Sequence, residues 1–84
     1  MNLTLTEMTK SKSDLFISKL SEALGFSSGQ LSLDTRLDTV NLDSLGIISS
    51  IAIVDEIYGV NLTIDMIMQS TTFRDLIDLV ERIE

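Results

Sequence analysis

The chain has 84 residues, room for one domain and no more, since domains run from roughly 50 residues upward. It has no cysteine and no histidine, which removes disulfides, thiolate metal sites and the commonest general base and metal ligand. Six basic against thirteen acidic residues give a net charge of -7, which repels nucleic-acid phosphates, while a hydrophobic fraction of 44% is ample for a folded core.

Met1 to Lys10 has no cationic start followed by an apolar run, so no signal peptide is visible. Residues 1–10 read as a loosely ordered lead-in to one helical domain over residues 11–84. Proline is absent, and no long stretch alternates apolar with polar residues, so helices are expected. Ser11 can cap a first helix from Lys12 to Leu24, in which Phe16, Ile17, Leu20, Ala23 and Leu24 recur at helical spacing until Gly25 offers a stop. Residues 25–43 hold too much turn chemistry for a helix, with Ser27, Ser28 and Gly29, yet Leu31, Leu33, Leu37, Val40 and Leu42 need burial. A long loop packed on the core follows. Asp43 can cap a second helix from Ser44 to Tyr58, closed by Gly59. Thr63 can cap a short third helix carrying Ile64, Ile67 and Met68. Thr72, with Asp75 three residues on, starts a fourth with Phe73, Leu76, Ile77, Val80 and Ile83 as its apolar stripe. The expected fold is all-α: a small four-helix bundle of three longer helices and a short third one, with a long packed loop between the first two.

Residues 1–24 carry three positive and three negative side chains, so the whole surplus of negative charge lies in residues 25–84. That surplus can draw a basic partner surface, or simply keep a small apolar protein soluble. The longest aliphatic run, Ile51 to Val54, is far short of a membrane span. The expectation is a cytoplasmic monomer without membrane or nucleic-acid partners.

The second helix has more apolar surface than a core needs. Ile47, Ile51, Val54, Ile57 and Tyr58 fall in one arc, read as the core face. Leu45, Ile48 and Ala52 form a second stripe beside it, flanked by Asp55 and Glu56. Either the long loop covers that stripe or it is a docking surface for a partner.

Asp43-Ser44-Leu45 puts a hydroxyl on the first turn of this helix. A helix N-terminus presents unpaired N–H groups and partial positive charge, so a phosphate esterified to Ser44 would be stabilised there. The triplet is short enough to arise by chance, and a helix cap is its plainer reading. Its setting adds to it. From about Lys12 to Ile83 the chain resembles the acyl carrier proteins: a first helix ending in Leu24-Gly25-Phe26, a long loop, and Asp43-Ser44-Leu45 opening the second helix. Val54 to Val60, Leu62, Thr71-Thr72-Phe73 and Asp75-Leu76 continue the resemblance in order. It implies a carrier whose Ser44, between Asp43 and Leu45, receives 4′-phosphopantetheine from coenzyme A. A separate phosphopantetheinyl transferase would supply the base and magnesium that this chain lacks, and the arm's thiol would carry acyl groups as thioesters between loading, condensing or modifying enzymes. It also implies shelter for the acyl chain between the later helices, with Ile51, Ile64, Ile67 and Met68 as lining, although ordinary core packing is the plainer reading of any one of them.

The chain departs from the family's pattern in two places. Asn41 stands where glycine is usual, a residue that tolerates left-handed backbone. Ile47 to Val54 carries no charge, where carriers of primary fatty acid synthesis are acidic, which points to dedicated partners of a polyketide or other specialised pathway. A free-standing acyl carrier is the leading reading. A peptidyl carrier of nonribosomal synthesis and an unmodified helical interaction module are the alternatives, and no catalytic or metal-ligating residue set supports an enzyme.

Overall fold

The computed structural model describes residues 11–27, 29–40 and 43–84. The expected lead-in over residues 1–10, together with Ser28, Asn41 and Leu42, lies outside the described residues. Among the described residues the order is α1 (Lys12–Leu24), a 3-10 turn (Leu37–Thr39), α2 (Ser44–Tyr58), α3 (Ile64–Gln69) and α4 (Phe73–Ile83), with no strand. This is the expected all-α bundle.

Each helix begins at the cap that the sequence marks. The Ser11 hydroxyl accepts the Asp14 N–H at 3.2 Å, and the Thr63 hydroxyl accepts the Met66 N–H at 3.2 Å. At α4 the arrangement is reciprocal: the Thr72 hydroxyl accepts from the Asp75 N–H at 3.2 Å, and the Asp75 carboxylate accepts from the Thr72 N–H at 3.1 Å. Gly25 and Gly59 close α1 and α2 with φ of 75° and 67°, left-handed values that cost glycine least.

The core gathers Phe16 and Leu20 of α1, Ile53 and Val54 of α2, Ile67 of α3, and Phe73, Leu76, Ile77 and Val80 of α4. Phe16 and Phe73 meet with ring centroids 6.1 Å apart and a 54° tilt, within the contact range of aromatic pairs. Leu31, Leu37 and Val40 of the long loop are buried with them, as expected of a packed loop.

The core face of α2 differs from the expected one. Gly46, Ser50, Ile53, Val54 and Tyr58 are buried, whereas Ile47, Ile51 and Ile57 are only half-buried. Apolar residues stand on nearly every side of this helix, so hydrophobicity alone does not select a face. The structure turns Gly46 and Ser50 inward beside Ile53, Val54 and Tyr58, and the most extensive helix–helix contact among the described elements is that of α1 with α2.

The long loop is also strapped to the start of α4. The Leu37 N–H donates to the Thr71 carbonyl at 2.9 Å, the Phe73 N–H to Thr35 at 3.2 Å, and the Arg74 N–H to Leu33 at 2.8 Å. The Arg74 guanidinium adds a 3.1 Å bond to Asp34. These bonds satisfy backbone groups of a loop whose one regular turn among the described residues is the 3-10 turn at Leu37–Thr39.

Packing and capping should separate cleanly in α4. Phe73→Ala is expected to lower the unfolding free energy by about 3–5 kcal/mol, and Thr72→Ala by about 1 kcal/mol, both read from urea titrations.

Candidate functional site

Asp43 stands at the N-cap of α2 in extended backbone, with φ -84° and ψ -168°. Its carboxylate accepts the Gly46 N–H at 3.1 Å, and its carbonyl accepts the Ile47 N–H at 3.0 Å. Ser44 is therefore the first helical residue, and it is exposed. The N–H groups of Ser44 and Leu45 belong to the first turn, where no intrahelical carbonyl is within reach. No acidic side chain occupies that turn, and the helix dipole adds partial positive charge to it.

These residues fit a phosphate ester on the Ser44 hydroxyl: the hydroxyl is open to solvent, and the helix end beneath it favours negative charge. They do not activate that hydroxyl, because the chain has no histidine to take its proton. Among the described residues, no group of three or more Asp or Glu side chains is placed to hold a metal ion.

The family model "phosphopantetheine attachment site" matches residues 14–80. The chain belongs to the phosphopantetheine-attachment family. No curated protein and no solved structure matches the chain. Domains of the phosphopantetheine-attachment family are where 4′-phosphopantetheine is covalently held, and the match takes in α2 with its N-terminal serine.

On this phosphopantetheine-attachment domain the second stripe of α2 lies open. Leu45 is 58% and Ile48 63% exposed, and Ala52 is exposed as well, so the long loop does not cover them. Asp55 and Glu56 are exposed beside them, Glu56 paired with Lys19 at 3.5 Å. Ile67 is buried and Ile51 half-buried, while Ile64 and Met68 of α3 point outward at 53% and 78% exposure. Ile51, Ile64, Ile67 and Met68 therefore do not share one environment.

Sequence reasoning missed Gly46 and Ser50, which set how α2 is turned. Their signal was their spacing, four residues apart on the helix, starting at the residue that follows Asp43-Ser44-Leu45.

The cap makes a direct test of how Ser44 is held. Asp43→Ala is expected to cost about 0.5–2 kcal/mol, and Asp43→Asn, which keeps an acceptor oxygen, clearly less. Thermal unfolding of the two variants beside the parent checks this order.

Proposed function

We propose that Ser44 bears the 4′-phosphopantetheine and that the chain serves as an acyl carrier protein, working in the cytoplasm between the enzymes of a specialised pathway of the polyketide or fatty-acid-like kind. The observation that carries this reading is the exposed hydroxyl of Ser44 on the first turn of a capped helix, inside the matched residues. When attached, the arm supplies a terminal thiol for thioester chemistry. The chain's own part is to hold the attachment point open and to be recognised. Asp43 fixes the start of α2, the first-turn N–H groups offset the charge of the phosphodiester, and Leu45, Ile48 and Ala52 offer an apolar surface beside it. Asp55 and Glu56 add negative charge at the far end of that surface, where the Glu56–Lys19 pair already satisfies part of it.

A phosphopantetheinyl transferase is the first partner this reading requires, followed by acyl-loading and condensing or modifying enzymes. Incubation with coenzyme A, magnesium and a broad-specificity transferase is expected to raise the intact mass by one phosphopantetheine, and Ser44→Ala to abolish the gain. No gain in the parent would favour an unmodified interaction module instead. Loading by an aminoacyl-activating enzyme but by no acyl-loading one would favour the peptidyl type.

Recognition by the α2 stripe gives a second test. Ile48→Glu is expected to change stability by no more than about 0.5 kcal/mol, because the side chain is exposed. It is also expected to lower kcat/KM of the cognate acyl-loading enzyme by about tenfold, as for a central apolar contact. In the parent, that kcat/KM should depend only weakly on added salt, since exposed charges are screened and apolar contact is not.

A further inference from the structure

Apart from Tyr58, Ser50 is the one buried polar side chain among the described residues, at 1% exposure, and it stands on the inward strip of α2 with Gly46, Ile53 and Val54. Its hydroxyl donates to the Gly46 carbonyl at 2.8 Å. Stability does not ask for serine here. Alanine is the better helix former and buries no polar group, and a hydroxyl bonded back to the preceding turn tends to bend a helix.

That bond leads to the attachment residue. The Gly46 carbonyl and the Ile47 N–H belong to one planar peptide unit, and the Ile47 N–H donates to the Asp43 carbonyl at 3.0 Å. The Asp43 carbonyl in turn shares its peptide unit with the Ser44 N–H. A hydrogen-bonded chain therefore runs from the Ser50 hydroxyl through two peptide units to the amide of Ser44. Gly46 is held from its other side as well, since its N–H donates to the Asp43 carboxylate at 3.1 Å. Successive bonds in such a chain polarise one another, and a planar unit bonded at both its oxygen and its N–H has little freedom to tilt.

We propose that Ser50 is a positioning residue for Ser44: through Gly46 and Asp43 it sets the direction of the Ser44 hydroxyl and makes the Ser44 N–H a stronger donor to the phosphate. The inference rests on Ser44 being the attachment residue. In the transfer, the Ser44 oxygen bonds to the phosphorus of coenzyme A that bears the pantetheine, the adenosine bisphosphate leaves, and the hydroxyl proton passes to the base of the transferase. Attack at phosphorus needs alignment, so a loosely held first turn loses rate after binding rather than binding itself. Ser50 is too deeply buried to touch the transferase, which separates its role from that of Leu45, Ile48 and Ala52 on the open side of α2.

The unmodified protein is mixed with coenzyme A, magnesium and excess broad-specificity transferase, and the gain in intact mass is followed in single turnovers over a range of transferase concentrations. Ser50→Ala is expected to lower the saturating rate by about tenfold, as for a small misplacement of a reacting group, and to leave the half-saturating concentration within about twofold. It is also expected to shift the amide NMR signals of Ser44 and Ile47 with helical circular dichroism unchanged. Ser50→Thr, which keeps the hydroxyl, should recover most of the rate. Ile53→Val, which thins the same buried strip without touching the first turn, should keep the parent rate. A parent-like saturating rate in Ser50→Ala, a loss confined to half-saturation, or an equal loss in Ile53→Val would each overturn the proposal, and so would a parent-like Ser44 amide signal in Ser50→Thr without recovery of rate. Absence of a mass gain in the parent would overturn the attachment reading and this inference with it, whereas a parent gain matched by Ser50→Ala overturns the positioning role alone.

Discussion

Helix α2 can turn only one strip of itself toward the bundle, and the rest of the molecule follows from which strip that is. Gly46 and Ser50 make the strip narrow near the attachment point, and Ile53, Val54 and Tyr58 widen it toward the other end. A buried serine is costly unless its hydroxyl is bonded; Ser50 is 1% exposed, and its hydroxyl donates to the Gly46 carbonyl at 2.8 Å. With this strip turned in, Leu45, Ile48 and Ala52 face solvent and Ser44 stands at an open helix end. A different turning of α2 would bring other apolar residues of this helix inward and change which of them meet solvent.

Much of the fold was legible because it is written in local chemistry. Ser11, Asp43, Thr63 and Thr72 bond to backbone groups three residues away, and Gly25 and Gly59 adopt the backbone that ends a helix. Such contacts need only the neighbouring residues. The face of α2 was not legible, since a helix apolar on nearly every side carries no directional signal, and there the small residues decide. The strap between residues 33–37 and 71–74 was not legible either, because its backbone bonds leave no pattern in the side chains. Ser44 was legible as a candidate site only through the order of motifs around it.

Charge in this molecule serves the surface more than the fold. Lys12 pairs with Glu84, Lys19 with Glu56, Arg36 with Asp38 and Arg74 with Asp34, all with exposed side chains on at least one partner. Exposed pairs of this kind contribute about 0–1 kcal/mol each, so they tidy the edges of the bundle rather than hold it. Lys12 also lies 5.4 Å from the centre of the Tyr58 ring, and the Tyr58 hydroxyl donates to Glu81 at 3.4 Å. Burial first, and then the negative charge of Glu81 and Glu84, hold the Tyr58 phenol in its protonated form far above its usual range. Bonding basic side chains to near neighbours leaves the acidic surplus of residues 25–84 directed at solvent and at whatever approaches α2.

The strap joins positions far apart in the chain: Arg74 and Asp34 are 40 residues apart. Closing a span of that length costs chain entropy before the contact is gained, and non-local pairings of this kind form slowly. The helical hairpin of α1 and α2 is available from residues 12–58 alone, but the Leu37 amide and the Leu33 and Thr35 carbonyls of the loop find their partners only once the start of α4 has been made and has docked. The placing of residues 33–37 thus depends on residues 71–74. During synthesis, residues 33–37 leave the ribosome well before residues 71–74 exist to receive them, so this part of the loop is fastened only on chains that have already reached α4.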